Sequence, residues 1–342
     1  MGLILTRAAG GGEALITQGM VRSEAVAAFL PARDGAPKVN YRVVGDSYLL
    51  VEYGEMILDL NLRIRVFSLQ RYLVEKEIRG LLELAPGVRS VLIKYDPLRL
   101  PLRKFLRILR KSESELPPSD TMRVPSRVIH LPLAFHDRWT IEAIGKYMQS
   151  IRREAPYLPD NVEFVARCNG LEGPDAVLSA LLGGYKMVMG LGDVYLGAPC
   201  AVPLDPLTRL VVPKYNPART FTPEGAVGIG GSYMCIYPME SPGGYQLVGR
   251  TLPIWNTYQT TPAFEENPWL LRIFDRIRFE RVSEGALEDA REAMLAGRYE
   301  LHTEDGYFDV GEYNRGLASI RDEVEDFKVR QRQFAAQSTE GY

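Results

Sequence analysis

Cysteine and histidine are scarce in this chain, three of each among 342 residues. Cys168, Cys200 and Cys235 lie far apart, and none sits in a Cys-x-x-Cys or with histidines at zinc-ligand spacing. The sequence therefore indicates neither a disulfide framework nor a metal site. The histidines, at 130, 136 and 302, are scattered, and a lone histidine is more often structural than catalytic. No apolar run approaches the roughly 18–20 residues of a membrane span, and the N-terminus lacks a basic segment followed by an apolar stretch. Forty-one basic residues against 43 acidic ones leave a formal net charge of −2, so no overall field favours nucleic acid or an anionic membrane. These absences predict a reducing, cytoplasmic setting with no nucleic-acid or membrane partner.

Familiar catalytic signatures are absent too. There is no GxxxxGK[ST] phosphate loop, no HExxH and no GxSxG, and Gly228-Ile229-Gly230-Gly231 lacks the spacing and strand-to-helix setting of a dinucleotide fingerprint. Hydrolytic triads and metal-assisted hydrolysis are poorly supported.

The length suffices for two compact domains. Residues 1–37 are Gly/Ala-rich with weak periodicity and predict a poorly ordered arm. From Asn40, YRVVGDSYLLVEYG alternates about a Gly-Asp turn as a hairpin does, and Leu62, Val66, Leu69 and Leu73 follow Asp59 at helical spacing. VRSVLIKYDP reads as a strand, and Leu102, Phe105, Leu106 and Leu109 place a stripe on a helix starting near Pro101. Residues 38–115 thus form a small α+β subdomain. The polar, proline-bearing KSESELPPSDTMRVPS predicts a linker, with the boundary near 112–126.

Beyond it, VIHLPLAF reads as a strand and residues 140–152 as a helix. Between Tyr185 and Trp255, short β-prone runs (YKMVMGL, LTRLVV, AVGIGG, YMCIYP, YQLVGRTLPIW) broken by Gly and Pro predict a barrel or sandwich over 126–282. A helical extension over 283–335 closes the chain: one helix after Ser283, then one carrying Tyr313, Leu317, Ile320, Val324 and Phe327. The fold class is α+β.

Residues 214–251, KYNPARTFTPEGAVGIGGSYMCIYPMESPGGYQLVGRT, set Lys214, Asn216, Arg219, Gln246 and Arg250 among glycines and aromatics on β-segments. One reading is turn chemistry, with the arginines paired to Glu224 or Glu240. The other is a site for a small amide. Gly243 and Gly244 bring backbone N–H groups close to a planar ligand, while Gln246 and Asn216 offer both donors and acceptors.

These residues, with APYLPDNVEFVARCNGL (155–171), GLGDVYLGAPCAVPLDP (190–206) and NPWLLRIFDRIRF (267–279), resemble the second half of the carboxyltransferase domain of urea carboxylase and fungal-type urea amidolyase. The resemblance covers about 40–335. The wider family includes a subunit of bacterial ATP-dependent 5-oxoprolinase and a sporulation kinase inhibitor, which share mainly AVGIGG and ESPGGYQLVGRT. These leave two alternatives, a 5-oxoprolinase subunit or a non-catalytic binding protein. YLPDNVEF and WLLRIFDRIRF point to the urea branch.

The resemblance implies a small α+β subdomain followed by a cyclophilin-like β-barrel, and transfer of CO2 from carboxybiotin to a nitrogen of urea, or of guanidine, to give in the urea case allophanate. Such transfer needs donors for an oxyanion and a dry pocket, and no nucleophilic side chain. From the chemistry, Gln246 and Asn216 are assigned to substrate, Tyr245 to stacking or a hydroxyl contact, and Lys214, Arg219 and Arg250 to oxyanion or CO2 stabilisation. The biotin would ride on a separate carrier domain, and a separate biotin carboxylase would use the ATP. Lys186 in GYKMVMG departs from the biotinylation motif. A homologous first half of the carboxyltransferase would complete the active site.

Overall fold

The computed structural model describes residues 25–33, 35–192 and 196–338. The first unit is an antiparallel sheet of β1 (Val26–Leu30), β2 (Val39–Val44), β3 (Tyr48–Tyr53), β4 (Leu81–Pro86) and β5 (Ser90–Tyr95), in the order β1-β2-β3-β5-β4. Gly45, at φ +64, makes the turn between β2 and β3 that the alternating pattern requires. Helices α1 (Leu60–Glu75) and α2 (Leu102–Glu115) cover one face. Asp59 caps α1 by accepting from the Asn61 N–H at 2.8 Å.

The expectation of a disordered arm through residue 37 is corrected over its last part. The β-compatible run VAAFL pairs with β2 and covers what would otherwise be a bare sheet edge. Residues 1–24 lie outside the described residues.

The segment read as a linker also differs from expectation at its start. Ser112 and Glu113 are the last buried turn of α2, at 0% and 3% exposure. Glu113 is held there by Arg65 of α1, whose Nη2 and Nε lie 2.6 and 3.1 Å from its Oε2, and by the Tyr53 hydroxyl, 2.5 Å from its Oε1. Burial and the adjacent carboxylate push the Tyr53 hydroxyl well above its ordinary pKa, so it stays a donor. The chain then makes one 3-10 turn and forms β6 (Arg123–Pro125).

The barrel strands are β7 (Val128–Phe135), β8 (Lys186–Leu191), β9 (Pro199–Pro203), β11 (Ala226–Gly230), β12 (Tyr233–Ile236), β14 (Gln246–Arg250) and β15 (Arg276–Arg281). A two-stranded flap of β10 (Arg219–Thr222) and β13 (Ser241–Gly243) stands beside them. Around the barrel the order is β14-β11-β12-β9-β8-β15-β7, and β7 meets β14 again to close the ring. Closure rests on two residue pairs, Gly249 with Phe135 and Arg250 with Ala134. A Cβ at Gly249 would come within 2.6 Å of the Ala134 carbonyl oxygen, so only glycine permits this approach.

LTRLVV, expected as a strand, instead starts as a 3-10 turn capped by Asp205, and only Val212 makes a bridge, to Gly231. The Asp205-Pro206 pair sets turn chemistry before the β-prone residues can pair.

Helices α3 (Arg138–Ser150), α4 (Asn161–Cys168) and α5 (Pro174–Leu182) sit between β7 and β8. α6 (Glu284–Leu295) follows β15, with Ser283 as its cap. The extension after it is not all helix. β16 (Thr303–Glu304) pairs with β7, and β17 (Tyr307–Asp309) pairs with β6, so each satisfies an edge that would otherwise be bare. The final helix is two, α7 (Val310–Ser319) and α8 (Arg321–Ser338), broken at Ile320. α8 packs on its own domain, with Gln331 Nε2 donating to Asn169 Oδ1 and to the Arg209 carbonyl, both at 2.7 Å.

α1 serves two cores. Leu62, Val66, Leu69 and Leu73 enter the first unit, while Leu60 and Ile64 join Met187, Met189, Val202 and Phe274 of the barrel wall. Between these faces Arg63, 1% exposed, donates from Nε to the Met189 carbonyl at 2.7 Å and lies over the Phe274 ring. Burial lowers its pKa to about 10. Lys186 is likewise buried, its ammonium donating to the carbonyls of Leu181, Gly183 and Gly184 at the end of α5. Burial lowers its pKa to about 8, and its inaccessibility agrees with the missing biotinylation motif.

Two expected outcomes follow from these buried charges. Glu113→Ala, which strands the Arg65 cation, lowers unfolding free energy by about 3–5 kcal/mol in denaturant titrations, and Arg65→Met/Glu113→Leu together cost less. Lys186 has a folded pKa of about 8 against an ordinary 10.5, so the unfolded chain binds more protons between those values. Wild-type stability measured relative to Lys186→Met therefore rises by about 1–3 kcal/mol as pH climbs from 8 to 10.

Candidate active site

The barrel closure determines where the candidate residues stand. Because β7 reaches only Gly249 and Arg250, the edge of β14 is open over residues 245–247. Side chains fill the gap. Asn161, the first residue of α4, accepts from the Leu247 N–H at 2.9 Å, and Arg219 Nη1 donates to the Tyr245 carbonyl at 2.7 Å. Asn161 Oδ1 also accepts from the Tyr215 hydroxyl at 2.8 Å, and its amide donates to the Tyr157 carbonyl. Tyr147, Tyr157 and Tyr215 pack ring against ring, and the first two donate to the carbonyls of Pro217 and Asn216. This network fixes the turn 213–218 across the mouth of β14.

Arg219 is 1% exposed, lies over the Tyr215 ring at 4.4 Å, and reaches Thr222 Oγ1 with Nη2 at 3.2 Å. Neither ion-pair expectation holds for the arginines. Arg219 donates to a carbonyl and a hydroxyl, its Nε staying without a partner among the described residues, and the carboxylate of Glu224 pairs with Arg291 at 3.0 Å.

Arg250 is separated from the rest of the set. Gln246 lies opposite Ile229 and Arg250 opposite Ala226, with a register shift between them at Val248. Ile229 belongs to the main barrel core and Ala226 to a separate outer cluster with Leu247 and Tyr237, so the two side chains leave opposite faces of the wall. Arg250 donates to the Glu224 carbonyl at 2.8 Å and covers the Trp139 ring at 4.7 Å. Burial, then the neighbouring Arg291, lowers its pKa. None of these partners belongs to the predicted set.

Gln246 is fully buried, its Nε2 donating to the Pro213 carbonyl at 2.8 Å, and its Oε1 is a buried acceptor without a partner. Gly243 is closely packed: a Cβ there would fall 2.4 Å from the Tyr237 hydroxyl oxygen and 2.7 Å from Thr222 Oγ1. Gly244 has more room, and its carbonyl accepts from the Tyr215 N–H at 2.6 Å.

What the fold does bring together at the surface is Lys214, Asn216 and Tyr245. Lys214 and Asn216 are exposed on the braced turn, and the Lys214 ammonium stands 4.9 Å from the centroid of the half-buried Tyr245 ring. That side chain lies against Gly228 and Gly230, where a Cβ would come within 2.8 Å of its Cβ and 2.5 Å of its ring, which is why AVGIGG carries glycines on that face. Among the described residues no carboxylate forms an ion pair with Lys214.

Cys200 and Cys235 border the same shelf; the pairing of Met234 with Ala201 sets them opposite one another on β9 and β12. Burial raises both thiols, and burial with these two neighbours raises the Tyr245 hydroxyl. All three stay protonated at neutral pH, so the shelf supplies a cation, an amide and a hydroxyl donor but no thiolate.

Asn161 and the three tyrosines were not singled out by sequence reasoning. The only signal for Asn161 was its place after the capping Asp160 in YLPDNVEF.

Comparison with known proteins agrees with this architecture. Residues 39–265 match the family model "Carboxyltransferase domain, subdomain C and D". The urea amidolyase of Lachancea kluyveri is 44% identical over 296 residues, 86% of this chain and 16% of that protein. The crystal structure of Kluyveromyces lactis urea carboxylase superimposes with a TM-score of 0.81 at 40% identity, over 93% of this chain and 29% of that one. A 5-oxoprolinase subunit of Bacillus subtilis is 24% identical over 72% of this chain and 95% of its own length. The chain thus spans under a third of the urea-branch proteins it matches. No described helix is long and apolar enough to cross a membrane. With its closed barrel, preceding α+β unit and matched span, the chain belongs to the carboxyltransferase domain family, of which it carries subdomains C and D.

Proposed function

We propose that this chain is the second half of the carboxyltransferase of a biotin-dependent urea or guanidine carboxylase, working in the cytoplasm on a urea-type nitrogen. The observation that carries the reading is the exposed Lys214 ammonium over the Tyr245 ring, with Asn216 exposed two residues along the same turn. Urea presents two NH2 groups and one carbonyl, and a primary amide such as Asn216 matches both kinds of contact. Lys214 supplies positive charge where a carboxylate or an oxyanion develops, and the Tyr245 hydroxyl remains a donor. Biotin, held on a separate carrier, supplies the activated carboxyl group. Arg219 and Asn161 position the shelf by completing the edge of β14, and Gln246 holds the Pro213 carbonyl behind it.

The shelf is open on its outer side, which fits a site completed by the homologous first half. The ATP-using biotin carboxylase and the carrier would be further parts of the same assembly, as the share of the relatives' length covered here suggests.

The test is ATP turnover by the chain reconstituted with biotin carboxylase, biotin carrier and first half, scanned over urea, guanidine and 5-oxoproline with and without avidin. Urea- or guanidine-stimulated, avidin-sensitive turnover is expected. Lys214→Ala lowers kcat/KM at least about tenfold, or about 1.4 kcal/mol, with an unchanged melting temperature. Arg219→Ala lowers the melting temperature as well. Turnover on 5-oxoproline that ignores avidin, or no turnover accompanied by tight binding of a histidine kinase, overturns the reading.

A further inference from the structure

Two of the three histidines, remote in sequence, meet across neighbouring strands. The pairing of Thr303 with Ile129 brings His302 alongside His130, whose backbone N–H donates to the His302 carbonyl at 3.1 Å. Their rings stack with centroids 4.0 Å apart and 23° between planes. Glu304, on β16, lies with its Oε1 2.8 Å from His130 Nε2 and 3.9 Å from His302 Nε2. One donor atom from each of the three lies within 4.8 Å of the others.

We propose that His130, His302 and Glu304 form a site for a single divalent first-row transition cation, with Zn2+ as its representative. Bond lengths of about 2.0–2.2 Å around a tetrahedral ion require donors about 3.3 Å apart, which the observed spacings bracket. Because an ion lies in the plane of each imidazole that binds it, the exposed His302 ring turns out of the stack on binding. The donor set of two imidazoles and one carboxylate suits such ions.

The surroundings have the features of a built site. His130 is the anchored ligand, with a side chain only 11% exposed, and its Nδ1 lies 2.8 Å from Glu280 Oε1 on β15. A carboxylate on that nitrogen orients the ring and turns Nε2 toward the incoming ion. His302 and Glu304 are 65% and 56% exposed, leaving the ion's outer side open to water. Arg278, opposite His130 in the strand register, and Arg276 both lean over the Tyr185 ring, at 5.8 and 5.4 Å, although the Arg276 charge still reaches Glu304. A bound ion would pin the two-residue strand β16 to the barrel. It would act as a clip between the C-terminal segment and β7, at a place apart from the Lys214 shelf.

The test is calorimetric titration of the tag-free, chelator-stripped chain with ZnCl2, paired with thermal melts. One ion per chain and a raised melting temperature are expected. His302→Ala and Glu304→Gln each weaken binding about 10- to 100-fold, and His136→Ala leaves it unchanged. Melts in chelator confirm that the exposed-residue variants fold like the parent. The spectrum with Co2+ in place of Zn2+ reports nitrogen and oxygen ligands without a thiolate charge-transfer band. No binding at about 1 mM Zn2+, unchanged affinity in His302→Ala, or a thiolate band that places the ion on Cys200 and Cys235, overturns the proposal.

Discussion

A seven-stranded ring closed by two residue pairs dictates most of what is distinctive here. The approach of β14 to β7 is possible because position 249 has no side chain, and it stops there, leaving the first half of β14 without a neighbour on that side. Unpaired backbone groups at a buried edge cost about 1–3 kcal/mol each. Asn161 and Arg219 remove that cost, and in doing so they fasten α4 and the turn 213–218 to the barrel mouth. The shelf of Lys214, Asn216 and Tyr245 is therefore a by-product of how the ring is completed. Its position is as rigid as the closure itself.

The same economy governs the buried cations. Arg63, Arg65, Lys186 and Arg219 are each at most 2% exposed, and among the described residues only Arg65 faces a carboxylate. The others spend their donors mainly on main-chain carbonyls at places where a helix ends, a strand begins or two units touch. A cation so placed trades its hydration for backbone oxygens that would otherwise lack partners. This is why a polar residue inside a β-rich motif reads, from sequence, as chemistry when its task is construction. Arg219 and Gln246 illustrate the ambiguity: both are the residue types a site needs, and both are sealed behind it.

Legibility followed the range of the interactions. α1, α2, α3 and α6 were readable because their caps and stripes are local, as Asp59 and Ser283 show. The hairpin of β2 and β3 was readable for the same reason. α4 was not, since six of its eight residues are buried and its polar face is only Glu163 and Arg167, too short to set a period. β16 and β17 escaped notice because strands of two and three residues exist only through their partners. Within the candidate site, the motif shows the residue types but not the sides they take. One bulged residue at Val248 sends Arg250 to the far face, and nothing in the local pattern announces it.

The path of the chain between its two units has a mechanical consequence. α1 contributes to both cores, Arg63 bolts it to β8, and β17 returns from beyond the barrel to hold β6, the strand that joins the units. Two separate contacts that span the connection make a welded joint instead of a hinge. A load applied to one unit is thus passed directly to the other, and the chain answers it as a single rigid block.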